Sequence, residues 1–256
     1  MIAPLFRSVA FSWLGIVLFF NSPGVPAGNE IRVLCSNGIK PVVEELIPAF
    51  ERNSSDKISI TYGVSALLAR QIEAGESFDV AILTDALIDK AVGQSMIQEG
   101  TQFPLAKSAM ALGVRRGSRK PAIRTVDGLK DALRSASSIA YAREGASAPF
   151  FDRTLNTLGL TSEIAPKVRL TENGVQAGVA VARGEAELCV LPTSEILPIE
   201  GIEILGPFPD QLRGYLVMVG GVGVRARQPA AAASFIQFLR SPAAEPVLVR
   251  KGMERP

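Results

Sequence analysis

From Ile31 onward the chain alternates short apolar runs with one-sided helical stripes, and that alternation limits its fold more than any other feature. Ile31-Arg32-Val33-Leu34-Cys35 reads as a buried strand, closed by the turn Ser36-Asn37-Gly38. Ile39, Val42, Val43, Leu46, Ile47 and Phe50 then recur at i, i+3, i+4, i+7, i+8 and i+11, the stripe of an amphipathic helix. Lys57 to Tyr62 is the next strand, ended by Gly63. A helix from Ser65 turns Leu68 and Ile72 inward, and Asp79 to Thr84 returns as a third strand. Thr84 or Asp85 caps a helix that carries Leu87, Ile88 and Val92. Strands separated by single helices build a parallel-sheet α/β architecture, because parallel neighbours need a long crossover between them.

The pattern changes over Leu105 to Arg115, where Ser108 to Val114 form a longer apolar strand that marks a crossing into a second lobe. Thr125 caps a helix holding Leu129 and Leu133, and Ser138 to Ala142 is a strand. Helices follow from about Ser147, with Phe150, Phe151, Leu155 and Leu158, and from about Gly174, with Val175, Val179 and Ala182. Glu187 to Leu191 is another strand, and Ile202 to Leu205 and Tyr215 to Val224 return the chain to the first lobe. Two last helices follow, the second opened by Ser241-Pro242, a cap with proline at the first helical position. The expected organisation puts 28–106 and 206–256 in one lobe and 107–205 in the other. No internal repeat and no low-complexity tract is present.

The first 27 residues stand apart from this pattern. Arg7 gives a short basic start, Val9 to Phe20 is apolar apart from Ser12, and Val25-Pro26-Ala27 is a small-residue cleavage pattern. This is the layout of a cleaved secretory signal, and the apolar run falls short of the roughly 18–20 residues of a membrane span. The chain is therefore expected in the periplasm. Cys35 lies well past the cleavage site and lacks a lipidation context. Net charge is +2, with no Lys/Arg stripe of the nucleic-acid-binding kind. Histidine is absent, which excludes Ser-His-Asp and Cys-His catalysis and the usual His-based metal sites. Cys35 and Cys189 sit in separate strand-like runs and are expected as buried thiols, not a bridge.

Four turns carry a small polar residue or glycine at a helix start: Ser36-Asn37-Gly38, Gly63-Val64-Ser65, Gly145-Ala146-Ser147 and Asn173-Gly174-Val175. Each also serves as an ordinary cap. A helix start, however, presents unpaired N–H groups and the positive end of the peptide dipole, and so can hold an anion without a charged side chain. Two such turns from each lobe would place the site in the cleft between lobes, beyond the carboxyl ends of the strands. Ser36, Asn37, Gly38, Ser65, Ser147, Gly174 and Val175 are the candidate ligand-binding residues. Four or five bonds to a charged ligand at about 1.5–3 kcal/mol each reach roughly the −8 kcal/mol of micromolar binding after ordering costs. Gly220-Gly221-Val222-Gly223 lacks a helix opening on it and reads as a bulge or close backbone contact, not a nucleotide loop. Arg70, Arg143 and Arg153 could reach a carboxylate. Glu195 would repel an anion or accept from a ligand hydroxyl or amine, and a structural role is favoured for it.

Ile31 to Phe50, Gly63 to Gly75 with Phe78-Asp79-Val80, Val181 to Glu187, and Leu239-Arg240-Ser241-Pro242-Ala243-Ala244 together resemble the molybdate-binding periplasmic protein family. The resemblance implies an α/β, two-lobe type II periplasmic binding protein fold with two hinge crossings. It implies a small anionic solute, the membrane permease of an ATP-driven (ABC) importer as partner, no cofactor, no enzymatic turnover and a monomer. Ser65 matches the family's second-turn serine, and the second-lobe backbone donors fall near Ser147 and near Gly174 or Val175. Two hydroxyl donors of the family are missing: Gly38 stands for a serine and Pro192 for a tyrosine. The cargo is therefore expected to be another oxyanion or a small carboxylate. The alternatives are a module presenting its closed form to a membrane sensor, and a His-free hydrolase using a carboxylate pair or a Ser-Lys arrangement.

Overall fold

The computed structural model describes residues 28–256; the expected signal segment, 1–27, lies outside the described residues. The chain runs β1 (Glu30–Ser36), α1 (Lys40–Ser54), β2 (Lys57–Gly63), α2 (Ser65–Glu73), β3 (Val80–Thr84) and α3 (Asp85–Gly93). The long β4 (Phe103–Arg115) leads to α4 (Val126–Ser135), β5 (Ile139–Ala142), α5 (Ser147–Leu158), the one-turn α6 (Thr161–Ile164) and β6 (Val168–Thr171). Next come α7 (Gly174–Ala182), β7 (Leu188–Pro192), the one-turn α8 (Thr193–Ile196) and β8 (Ile202–Pro207). β9 (Tyr215–Val222), α9 (Pro229–Arg240) and α10 (Glu245–Arg250) finish it. No helix among the described residues is long and apolar enough to cross a membrane.

The strands order as β2-β1-β3-β9-β4-β7-β5-β6, with β8 also on β4. β1 lies parallel to β2 and β3, and β5 lies parallel to β6 and β7, so each half keeps the expected strand–helix–strand crossovers. β4 joins the halves within a single strand. Its Phe103–Ala109 stretch pairs antiparallel with β9, while Met110–Val114 pairs with β7. β8 pairs with Ala111–Arg115 and so stays with the second half; it does not turn back to the first as the sequence suggested. The return crossing falls instead between β8 and β9.

Packing follows the two-sided burial of these strands. A large core runs from Val43, Leu46 and Phe50 of α1 through β4 to Phe151 of α5, Phe208 and Phe235 of α9. Phe50 meets Phe235 edge to face at 4.9 Å between ring centroids, and Phe150 meets Phe208 at 4.8 Å. Two smaller cores seat α2 and α3 on one half and α7 and α8 on the other. Asp79 is fully buried and accepts from the backbone N–H of Arg32 (2.8 Å), Arg227 (2.6 Å) and Gln228 (3.2 Å), tying β1 to the chain leading into α9. Thr125 caps α4 by accepting from Gly128 N–H at 3.1 Å. Thr84 makes no side-chain cap, while Asp85 accepts from Ala86 N–H at 2.9 Å.

Two local expectations change. Ser241-Pro242 opens a single 3-10 turn, and α10 begins only at Glu245, because the Ser241 hydroxyl finds no partner to hold a cap. β9 stops at Val222, where Gly223 packs on Phe78 so closely that a Cβ there would sit 2.9 Å from the Phe78 carbonyl oxygen. Gly221 is likewise pressed on Ile97, so the glycine run is a close-contact strand, as expected. Cys35 and Cys189 are both fully buried and unbridged, and burial pushes both thiols up, Cys189 to about 12.

Candidate functional site

The carboxyl ends of the parallel strands in both halves open on one cleft of about 600 Å³. All seven candidate residues line it: Ser36, Asn37 and Gly38 after β1, Ser65 at the start of α2, Ser147 at the start of α5, and Gly174 and Val175 at the start of α7. Each helix begins there because a glycine or small polar residue ends the preceding strand and lets the backbone turn.

The four turns are not equivalent. At the first, Asn37 N–H donates to Gly63 O at 2.8 Å, Gly38 N–H to Ser36 Oγ at 3.3 Å, and Ile39 N–H to Ser36 O at 3.2 Å. Its amides are therefore already used, and the Ser36 hydroxyl proton and the Asn37 side chain are what it can offer. By contrast, the N–H groups of Ser65, Ala66, Ser147, Gly174 and Val175 have no protein acceptor among the described residues. Asn173 caps α7 through Gln176 N–H at 3.0 Å and leaves the two amides before it free. The Ser65 hydroxyl is the sharper signal. It is closed off from solvent at the cleft wall, in a residue only 8 % exposed, and has no hydrogen-bond partner. Buried hydroxyls are normally satisfied, so an orphan beside a cleft points to a ligand.

Gly38 is held by its neighbours. A Cβ there would stand 2.7 Å from Leu216 Cδ2, so Leu216 fills the space of the missing serine side chain. Pro192 ends β7 and leads into α8, a turn with no counterpart in the sequence reading. That turn brings Ser194 and Glu195 to the cleft. Ser194 Oγ donates to Gly38 O at 3.3 Å, joining the halves at the cleft floor. Below it Ser108 and Thr193 share a 2.8 Å hydroxyl contact, and both reach Gly252 O, at 3.1 and 2.7 Å.

Glu195, expected to be structural, faces the cleft. A Cβ on Gly174 would lie 1.9 Å from its Oε2, so the glycine is what makes room for the carboxyl. Glu195 is partly buried by surface area yet ringed by protein atoms, and burial alone pushes its carboxyl up to about 7. Of the three arginines, Arg70 lines the cleft and pairs with Glu144 at 2.5 Å, one residue from each half. Arg143 and Arg153 are exposed and do not line it. No group of three or more potential metal ligands occurs among the described residues.

Two α/β lobes joined by two crossings, with helix starts from both facing one cleft, define a type II periplasmic binding protein. Residues 31–254 match the family described as bacterial extracellular solute-binding protein, and the chain belongs to that family. It is 29% identical over 249 residues to the aconitate isomerase of a Pseudomonas species, covering 94% of each chain. It is 24% identical over 255 residues to the molybdate-binding protein ModA of Escherichia coli, covering 95% of this chain and 98% of the relative. The periplasmic molybdate-binding protein of Azotobacter vinelandii superposes with a TM-score of 0.74 at 20% identity, covering 88% of this chain and 99% of that one. Membership implies a small solute and an importer as partners.

Proposed function

We propose that the chain captures a small carboxylate-bearing anion in the periplasm, as a monomer and without a cofactor, and hands it to the permease of an ABC importer. The observation that carries this reading is the orphaned Ser65 hydroxyl beside five unpaired backbone N–H groups drawn from both halves. The amides of Ser65, Ala66, Ser147, Gly174 and Val175 hold the anion, with the hydroxyls of Ser36, Ser65 and Ser147 and the side chain of Asn37 around it. Residues 28–106 and the chain after β8 form one lobe and residue 107 to the end of β8 the other, the expected 205/206 boundary moving to the β8–β9 connection, and closure turns about β4 and that connection.

Three features favour a carboxylate over a tetrahedral metal oxyanion. Gly38 and Pro192 remove hydroxyls, and Leu216, Val64 and Pro41 give the wall an apolar character suited to carbon. A cleft of about 600 Å³ also exceeds the roughly 150 Å³ that five heavy atoms fill at about 30 Å³ each. Finally, the 29%-identical relative acts on aconitate, a small polycarboxylate. Thermal-shift screening with cis- and trans-aconitate, citrate, sulfate and molybdate tests the reading. A ligand at a hundred times its Kd adds about 2.7 kcal/mol, or roughly 5–10 °C for a chain of this size. Stabilisation by molybdate or sulfate alone would refute the carboxylate class, and no stabilisation by any anion would refute capture.

A second reading, isomerisation of the bound acid, is favoured by Glu195, a carboxyl in the cleft poised near neutrality to take and return a proton. NMR of cis-aconitate incubated with the protein decides it, since a pure binding protein leaves the isomer unchanged.

A further inference from the structure

Glu195 is a carboxyl in the cleft that the protein itself does not use. Among the described residues no ion pair or hydrogen bond holds it, and its only perturbation is burial. The charged groups around the cleft are engaged elsewhere. From α1, Lys40 sits 3.7 Å from Glu44 and 4.9 Å over the Tyr62 ring. From α2, Arg70 holds Glu144, which follows β5. From β7, Cys189 is a neutral buried thiol, pushed further up by Glu195 itself. Glu195 Oε2 meanwhile packs against Gly174, beside the free amides of α7.

We propose that Glu195 joins the complex as a neutral carboxylic acid whose O–H donates to the bound anion, so that each anion captured carries one proton into the cleft. The inference rests on the capture reading above and specifies how that site selects and holds its ligand. An ionised Glu195 would place a second negative charge in the same cleft as the bound anion, which like-charge repulsion disfavours. Protonated, the same group becomes a further donor beside the amides, aimed at an anionic oxygen. Burial already brings the carboxyl to about 7, so at neutral pH about half of the molecules hold the proton beforehand, and at higher pH the entering anion draws it from solvent. The site thus gains one more donor for an anionic oxygen, and its affinity is tied to external pH. The proton balance is simple: Glu195 takes it from solvent as the anion enters and returns it on release.

The test is calorimetric titration of trans-aconitate at pH 8 in two buffers of different ionisation enthalpy, repeated at pH 7 and pH 9. The wild-type protein takes up close to one proton per ligand at pH 8. Its affinity falls about fivefold from pH 7 to 8 and nearly tenfold from 8 to 9, as required for a group near neutrality that must be protonated. Glu195→Gln, which keeps a donor without a titrating proton, shows no uptake and less than twofold change over the same range. Should that variant bind too weakly to titrate, the wild-type uptake and slope decide alone. Wild-type binding with no proton uptake, or equal uptake in both proteins, overturns the inference and leaves capture standing. Failure of every carboxylate to bind removes the carboxylate reading of the site, and this inference with it.

Discussion

Replacing Glu195 with glutamine should stabilise the unliganded protein, and by an amount that grows with pH. In the unfolded chain this carboxyl titrates near its ordinary 4.5, whereas in the folded cleft burial raises it to about 7. A raised carboxyl means the folded state binds more protons between those two values. The stability it contributes is therefore full below 4.5, drains away as pH climbs toward 7, and is gone above 7. Integrated from pH 5 to pH 8, the loss is about 2.5 kcal/mol. Two effects trim this. The positive end of α7 beside Gly174 favours the ionised form by up to about 1 kcal/mol, and water at the cleft mouth screens the charge. Roughly 1.5–2.5 kcal/mol remains, equivalent to about 3–10 °C for a chain of this size. Glutamine has nearly the same shape and no charge to desolvate, so it escapes the loss. Melting curves of both proteins at pH 5, 6, 7 and 8 measure the difference directly. The gap in Tm should be small at pH 5 and several degrees at pH 8. A gap that stays constant, or one that shrinks as pH rises, would mean the carboxyl is solvated or paired, and the reasoning fails.

Other perturbations separate binding from folding. Ser65→Ala removes the orphaned hydroxyl and should weaken binding of the captured anion by roughly 10- to 100-fold, at about 1.5–3 kcal/mol per charge-assisted bond. Its Tm should stay within about 2 °C of wild type, because no protein partner is lost; calorimetry with aconitate and a melting curve check both halves. Asp79→Ala strips the acceptor from three backbone N–H groups and should cost about 3 kcal/mol, a fall of roughly 6–12 °C in Tm. Gly38→Ser pushes its Cβ against Leu216 and should cost about 1–3 kcal/mol by overpacking, and adding Leu216→Ala should relieve most of that. A double-mutant cycle in urea shows the coupling, and additive effects would refute the contact.

Most of the fold could be read from the sequence because strand and helix periodicities stay distinct along this chain. The stripe from Ile39 to Phe50 has a single buried face, and α1 forms there with Val42, Val43, Leu46 and Phe50 inward. The β4 crossing was visible as an unusually long apolar run. What was not visible depends on contacts between distant segments. β8 looks like any short apolar strand, and only its pairing with Ala111–Arg115 assigns it to the second half. β6, with both ends half-buried and its middle exposed, carries too little apolar signal to stand out. α8 spans four residues, below the length at which periodicity can speak, and it is the element that turns Glu195 toward the cleft.

The site divides in the same way. Local turn chemistry marked seven of the residues that line the cleft, since a glycine or small polar residue at a helix start announces itself in sequence. Whether an amide is free or already used is a tertiary matter. The Asn37 and Gly38 amides are spent on Gly63 and Ser36, so the first turn has side-chain groups to offer where the later three have unpaired backbone N–H groups. The loss of the serine at 38 and the presence of Leu216 are two sides of one packing choice. On the proposed reading, an apolar wall there, in the same cleft as a carboxyl that burial raises to about 7, suits a ligand with a carbon body and anionic ends better than a compact oxyanion. On that same reading, donors fixed in the backbone hold the anion while a few side chains around them choose the cargo, so a change of solute needs no change of scaffold.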